Sequence, residues 1–139
     1  MLLVAACSEK TRTTDTKSAT LKTPSERSAF LCAYALCPSR PNDAAFHVVF
    51  HDNSRGLIGG PSDGETIALV KIEPDQAELW TRGCDQQVLE VRPQWALPLF
   101  AERPEWAAKS PPDTYECGAH ETRLIHVKEG LVLWHVVAR

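Results

Sequence analysis

Hydrophobic residues fall into short segments along this chain, some with a helical pattern and some with an extended one. Residues 25–37 combine good helix formers with a serine at their start, and Pro38 follows them, which predicts a helix of about three turns. Residues 45–51 are rich in β-branched and aromatic side chains, and residues 65–73 resume an apolar pattern after the glycine-rich segment 56–64. We therefore expect two strands, and their short connection favours an antiparallel pair.

The middle of the chain predicts short elements separated by prolines. Residues 74–80 begin with proline and have acidic residues in their first turn, and Gly83 follows them, so we expect one or two helical turns. Residues 87–91 predict a strand. Prolines then recur through residues 93–112, so any helix there must be short, and the bulky apolar residues between them are expected to close a core.

The C-terminal segment predicts a β-hairpin. Residues 122–128 and 131–137 lie on either side of Glu129-Gly130, and glycine readily adopts the positive φ that a two-residue turn requires. In that register one face is wholly apolar and the other mixes leucines with polar groups. The apolar face carries Ile125, Val127, Val132, Trp134 and Val136, and the other carries Leu124, His126, Lys128, Leu131, Leu133 and His135.

Together these elements predict an α+β fold, with a small, mainly antiparallel sheet, one N-terminal helix and a C-terminal β-hairpin. Residues 29–139 are enough for a single globular domain. Residues 8–28 are rich in Ser, Thr, Lys, Arg and Glu without apolar periodicity, which predicts a flexible tether.

Residues 1–7 have the arrangement of a processing site. Val4-Ala5-Ala6-Cys7 resembles the lipobox of bacterial lipoproteins, in which the cysteine receives lipid. The resemblance implies lipidation of Cys7 and a location in the bacterial cell envelope, facing the periplasm. Ser8 is compatible with the outer membrane rather than the inner one. Only six residues precede Cys7, fewer than the roughly 7–15 apolar residues of a secretory signal, so residues 1–7 are interpreted as a truncated signal whose start lies upstream.

Charge and hydropathy exclude some partners. The formal net charge is −3 and no block of Lys and Arg occurs, so the chain lacks the basic patch of a nucleic-acid-binding protein. No apolar stretch approaches the roughly 20 residues that span a bilayer, so we expect membrane association only through lipid on Cys7.

The other four cysteines are an even set, as expected for an exported protein with two disulfides. Four cysteines allow three pairings; we favour Cys32–Cys37 with Cys84–Cys117, because the first pair is local and the second would join the middle of the chain to the last hairpin. A zinc site is a weaker alternative, since the spacing of the first pair is wider than the common ligand pair. Buried reduced thiols are the alternative for a cytosolic protein.

The histidines suggest one candidate metal site. His47 and His51 share a face of their predicted strand, and His126 and His135 share a face of the hairpin. If those strands adjoin, four imidazoles would meet, with Asp52 as a candidate outer ligand, and imidazole suits zinc, copper and nickel. The other interpretation places these histidines on the half-solvated face of a sheet.

The loop after residue 50 is the densest cluster of polar and flexible residues, and functional residues favour such loops. Its candidate binding residues are His51, Asp52, Asn53, Arg55, Ser62 and Asp63. The other interpretation of these side chains is two successive turns in which they bond their own backbone. Arg55 is the residue that would meet a carboxylate on a partner.

No catalytic motif appears: there is no nucleophile elbow, phosphate-binding loop or zinc-protease pair, and no cofactor is implied. The leading hypothesis is therefore a non-enzymatic, lipid-anchored envelope protein that binds a protein partner, an immunity or inhibitor protein being one form. The alternative is a periplasmic domain that binds a small molecule or metal through a histidine-bearing sheet face. An enzyme using His51, Asp52 and His126 is a third hypothesis.

Overall fold

The computed structural model describes residues 13–52, 63–88 and 92–138. In this part of the chain seven antiparallel strands form one sheet in the order β1-β2-β3-β7-β6-β5-β4. The strands are β1 (Thr14–Lys17), β2 (Asp43–His51), β3 (Asp63–Lys71), β4 (Asp85–Gln87), β5 (Asp113–Glu116), β6 (Glu121–His126) and β7 (Leu131–Ala138). The helices are α1 (Pro24–Tyr34), α2 (Leu97–Glu102) and the 3-10 helices Ser18–Thr20, Pro74–Trp80 and Gln94–Ala96. The predicted α+β class is confirmed.

Local sequence explains where α1 begins and ends. Thr23 caps the helix, because its Oγ1 accepts a hydrogen bond from the backbone N–H of Glu26 at 3.1 Å. Pro24 occupies the first turn, where its missing N–H has no intrahelical acceptor. The helix ends at Tyr34, earlier than predicted, and Ala35 is extended. No helix in the described residues is long and apolar enough to cross a membrane.

The sheet is covered on both faces, and each face has its own core. On one face α1 and the helix Pro74–Trp80 pack against alternate residues of β2, β3 and β7. On the other face the proline-rich segment 92–110 packs against the intervening residues, which confirms that most of its bulky apolar groups close a core; Leu97 is exposed. The first core includes Leu31, Phe46, Val70, Trp80 and Trp134, and the second includes Ala45, Leu69, Leu99, Leu124 and Leu133.

The C-terminal hairpin forms, but the predicted two-residue turn is wrong. Ile125 pairs with Val132 and His126 with Leu131, so four residues, 127–130, connect the strands. The register differs from the predicted one by two residues, and the paired residues therefore keep their predicted faces. Contacts outside the hairpin select this connection: the N–H of Ile72 donates to the carbonyl of Gly130 at 2.8 Å, and the Glu129 carboxylate binds the segment 109–110.

Most of the predicted tether belongs to the folded domain, which corrects its assignment from residue 14 onward. β1 pairs with β2, and Ser18 is fully buried, with its hydroxyl accepting from the N–H of Phe46 at 2.9 Å and donating to Glu102. Backbone pairing at a sheet edge needs no apolar periodicity, so composition alone could not reveal this strand. Residues 8–12 and the lipobox lie outside the described residues.

The other short predictions are partly confirmed. Residues 74–80 are helical, although as a 3-10 helix. The strand predicted over 87–91 is β4 at Asp85–Gln87; Val88 is not in a strand, and 89–91 are not described. Both favoured disulfides are present, Cys32–Cys37 and Cys84–Cys117, so the zinc and free-thiol alternatives do not apply to these cysteines. Cys84 and Cys117 are 33 residues apart in the sequence, whereas Cys32 and Cys37 are 5 apart. In the chain-entropy model the longer loop gives the larger stabilisation, about 4 kcal/mol compared with about 2 kcal/mol.

Asp43, at the start of β2, joins the layers on both faces. Its carboxylate accepts two hydrogen bonds from Arg27 of α1, at 2.7 and 3.0 Å, and one from Arg103, the residue after α2, at 3.2 Å. Burial raises the pKa of Asp43, but the hydrogen bonds from Arg27 and from the N–H of Ala44, with the charge of Arg103, outweigh it and hold this pKa below its usual value. The carboxylate is therefore ionised at neutral pH.

We expect Asp43→Ala to lower the free energy of unfolding by about 3–5 kcal/mol, because it leaves the guanidinium of Arg27 buried without a counter-charge. Chemical denaturation would measure this loss. Glu78→Ala, which removes the carboxylate of an exposed pair with Arg82, is the control and should change stability little. A similar effect of both substitutions would contradict this role of Asp43.

The same carboxylate predicts part of the pH dependence of stability. Its pKa is lower in the folded state, so its contribution is complete above the pKa of an unfolded aspartate, about 3.9, and is lost as the pH falls through the folded pKa. Asp43→Asn should therefore show a flatter loss of stability than the parent protein below about pH 4. Denaturation curves at acidic pH would measure the difference.

Gly130 should tolerate alanine poorly. Its φ is +67°, and a Cβ there would lie 2.3 Å from the carbonyl oxygen of Ile72. Gly83, with φ of +76° and no atom within 4 Å of such a Cβ, is the matched control. Backbone strain costs about 1–2 kcal/mol at both sites, and overpacking should add about 1–3 kcal/mol at Gly130 alone. Equal losses of stability in thermal unfolding would show that the close approach is unimportant.

Candidate functional site

Histidines and carboxylates are grouped on the part of the sheet that segment 92–110 leaves open. We call Asp15, His47, Glu65, Trp95 and His135 the acid–histidine patch. His47 pairs with Ile67, and Ile67 with His135, so the two imidazoles stand in one row across β2, β3 and β7. Asp15 and Glu65 both pair with Val49 and form the next row.

Each imidazole in the patch binds a carboxylate. Nε2 of His47 lies 2.6 Å from Oδ1 of Asp15, and Nε2 of His135 lies 2.6 Å from Oε2 of Glu65. The imidazole side chains are 32% and 27% exposed, whereas those of Asp15 and Glu65 are 72% and 59% exposed. The rings therefore rest on the sheet, and the carboxylates face solvent.

Trp95 forms the boundary between the patch and the covered half of the face. The helix Gln94–Ala96 holds it, because Ala96 is fully buried in the second core. The indole lies 5.3 Å from the ring of His135, centroid to centroid, at a tilt of 39°. An open depression of about 280 Å³ lies beside it, lined by His47, Val49, Glu65, Ile67 and Trp95.

This arrangement suits recognition of a positively charged group. On the uncovered half of β1, β2, β3 and β7 the face carries three carboxylates, of Asp15, Asp63 and Glu65, against the ammonium of Lys17. In the described part of the chain no hydroxyl or thiol hydrogen-bonds either patch histidine, so a nucleophile activated by histidine is not assembled there. The patch offers charge, hydrogen-bond acceptors and one aromatic ring.

The four histidines share one face of the sheet, but the predicted metal site is not formed. His47 and His135 are two strand spacings apart, about 9–10 Å, and His126 is four residues from the row of His135, about 13 Å. Among the described residues no three histidine, cysteine or acidic side chains are grouped to hold a metal. The register between strands, which the sequence does not show, separates them.

The enzyme hypothesis used His51, Asp52 and His126, and the structure separates His126 from the other two. His51 lies at the end of β2, whereas His126 is in the row that begins with Asp43, about 26 Å along the strand direction. His126 is buried, and its Nδ1 donates to the carbonyl of Ser110 at 2.8 Å. These three residues therefore cannot act on one substrate.

The predicted binding loop is described only at its two ends. His51 pairs with Asp63, and the N–H of Asp52 donates to Oγ1 of Thr13 at 3.1 Å. Asn53, Arg55 and Ser62 lie outside the described residues. These two ends, His51 and Asp63, lie at the open end of the face, next to the acid–histidine patch.

The sequence did not reveal three members of the patch. Asp15 lies in the segment interpreted as a tether, and Trp95 was expected only to close a core. Glu65 begins a predicted strand, and its alternation with Ile67 is the one local signal that places it on a face with an apolar neighbour. Its side chain contacts His135 on the neighbouring strand β7, and no local sequence pattern indicates such a tertiary contact.

Comparison of the chain with protein-family models, curated proteins and solved structures finds no match.

Proposed function

We propose that this chain is a lipid-anchored protein of the bacterial cell envelope, without catalysis of its own, which uses the acid–histidine patch to bind a basic surface of a protein partner. The exposed carboxylates of Asp15 and Glu65, held in place by two histidines beside Trp95, carry the proposal. Opposite charge on a partner would steer its approach and fix its orientation.

Two features support the envelope as the location. Val4-Ala5-Ala6-Cys7 resembles a lipobox, and the compartment that processes lipoproteins is also one in which disulfides persist. The domain carries two disulfides, one of which joins segments 33 residues apart. Lipid on Cys7 would hold the protein at the membrane, and Ser8 favours the outer membrane.

The point at which the chain enters the sheet orients the domain toward the membrane. Thr13 bonds to Asp52, so β1 starts at the same end of the sheet as the loop between β2 and β3. Five residues lie between Cys7 and Thr13, so these two residues can be at most about 20 Å apart. Anchoring at Cys7 would therefore hold the patch near the bilayer, which favours a partner that is itself at the membrane surface.

An immunity or inhibitor protein is one form of this proposal, because such a protein needs only a stable domain with a charged recognition surface. Arg55, a candidate binding residue from the sequence, would add a cation for a carboxylate on the partner. The acidic patch would favour one partner over others, since misplaced like charges are repelled.

Substitution of Cys7 tests the anchor. In the bacterium that produces the protein, Cys7→Ser should move the chain from the membrane fraction to the soluble envelope fraction, because the thiol that receives lipid is gone. The intact mass of the parent protein, after alkylation without reduction, should show diacyl- or triacyl-glyceryl addition on Cys7 and no alkylated cysteine.

Ser8→Asp is the matched control, since it keeps the acceptor and should remain lipidated while favouring the inner membrane. An unlipidated parent chain with unchanged fractionation of Cys7→Ser would overturn the anchor.

Charge reversal tests the patch. A photo-cross-linking amino acid at Val49 lies between Asp15 and Glu65 and should capture a membrane-surface protein in the native cells. The double substitution Asp15→Lys and Glu65→Lys should abolish that cross-link, because the surface would then repel a basic partner.

Asp75→Lys with Glu78→Lys is the matched control, since it makes the same charge change on the helix Pro74–Trp80, which packs on the opposite sheet face. This variant should keep the cross-link. The proposal fails if no protein cross-links at Val49, or if both double variants behave alike.

A further inference from the structure

The outer surface of α1, which points away from the sheet, changes from polar to apolar along the helix. Its first turn exposes Glu26, whereas its later turns expose Ala29 and Ala33, and the exposed Leu36 follows just after the helix. We call Ala29, Ala33 and Leu36 the α1 apolar face. Residues 28–39 contain no charged side chain. The outer surface of a helix on a globular domain is normally polar, so this end of α1 has the composition of a covered surface.

Leu36 lies in the loop that the Cys32–Cys37 disulfide closes. Its side chain is 91% exposed, although Ala35 before it is buried and Cys37 after it packs against the first core. The backbone on both sides of Leu36 is therefore held in place, and the fold itself presents this leucine to the surroundings. A single exposed leucine is ordinary, but this one continues the apolar surface of the helix.

The α1 apolar face lies at the end of the domain that the chain from Cys7 enters. The rings of Tyr34 and Phe50 are 5.7 Å apart, centroid to centroid, and Phe50 pairs with Thr14, the first residue of β1. Cys7 can be at most about 20 Å from Thr13. Lipid on Cys7 would therefore keep the apolar end of α1 close to the bilayer.

The size of the α1 apolar face favours a membrane over a protein as its cover. Each partner of a stable protein interface contributes roughly 20–30 residues, far more than these three side chains. A bilayer surface requires no matching shape, and apolar side chains of a surface helix enter the boundary between headgroups and acyl chains. Because the lipid on Cys7 would supply the attachment, the apolar face would only have to orient the domain.

The positions of the charged groups agree with such a contact. Arg27 binds Asp43 at the start of β2, which is the end of that strand remote from Phe50. α1 packs on the sheet face that carries Phe46, whereas the carboxylates of the acid–histidine patch stand on the opposite face. Contact of the α1 apolar face with a bilayer would therefore leave the patch open to a partner.

We propose that the α1 apolar face rests on the lipid bilayer, with Leu36 inserted between the headgroups. The inference rests on the proposed function, because it takes Cys7 as the point of attachment. It adds an orientation of the domain, in which the end of α1 is turned toward the membrane and the acid–histidine patch faces sideways along it. A partner at the membrane surface would then reach the patch without displacing the domain.

The full chain can be attached to lipid without relying on processing by the cell. The two disulfides use four of the five cysteines, so the thiol of Cys7 can be coupled to a maleimide-bearing lipid in phosphatidylcholine nanodiscs. A nitroxide on the acyl chains near the headgroups broadens the NMR signals of methyl groups that touch the bilayer. The methyl signals of Leu36 should lose most of their intensity.

Leu97 is the matched reference within the same sample. It is 54% exposed and begins α2, in the segment that covers the opposite sheet face, so its methyl signals should keep their intensity. Equal broadening of Leu36 and Leu97, or no broadening of Leu36, would overturn the inference.

Substitution of Leu36 tests whether this side chain holds the orientation. Leu36→Asn should fold, because the residue is exposed, and the broadening of the Ala33 methyl signal should fall several-fold. Leu97→Asn is the control and should leave the broadening at Ala33 unchanged. The inference fails if both variants behave as the parent does, or if the Leu36 signals of the unattached chain shift with protein concentration, which would assign the face to a second copy.

Chemical coupling separates this inference from the proposed function. The nanodisc experiment reports the orientation of the attached domain whether or not the bacterium lipidates Cys7, and the fractionation of Cys7→Ser reports the lipidation alone. A lipidated protein whose Leu36 stays in solvent would overturn only the orientation.

Discussion

One carboxylate connects the layers of this protein. Asp43 stands at the start of strand β2 and binds Arg27 from the helix on one face and Arg103 from the segment on the other. A buried pair of this kind adds little net stability compared with apolar packing, but its geometry is demanding, because removing either partner leaves an unpaired charge. It therefore fixes where the two covering layers sit relative to the sheet.

That fixed position also determines which part of the second sheet face is covered. Segment 92–110 crosses the second core with Trp95 and Leu99. Trp95 marks where its cover ends and the acid–histidine patch begins. The uncovered part of this face presents the carboxylates of Asp15 and Glu65. A sheet covered along only part of one face can thus carry a charged surface on a small domain.

Local sequence patterns predicted the helices and strands of the fold. Long-range contacts determined the hairpin register and the side-chain contacts between strands, which those patterns do not indicate. Helix α1, the pair β2–β3 and the hairpin follow from residue types and periodicity. The even number of cysteines predicted two disulfides, and of the three possible pairings the structure has the favoured one. The hairpin register depends on Ile72, which is distant in sequence from the turn that it holds. His47 and His51 share a face of β2, and His126 and His135 share a face of the hairpin, as their spacing indicates. The contacts that these side chains make, such as that of His47 with Asp15, are ones that no local pattern identifies. A site made of contacts between strands can be predicted only when the strand order is known, and the local patterns of this sequence do not indicate that order.

The polar strand β1 also affects the solubility of the chain. Its residues, Thr-Asp-Thr-Lys, occupy the backbone groups of the outer half of β2, and Ser18 continues this cover at Phe46. Without them β2 would expose an edge of sequence Ala-Ala-Phe-His-Val-Val-Phe, long and apolar enough to pair with another chain. A short charged edge strand prevents such pairing. The segment that leads from Cys7 into the domain is thus also its protection against aggregation, and a protease that cut after Lys17 would leave a domain prone to self-association.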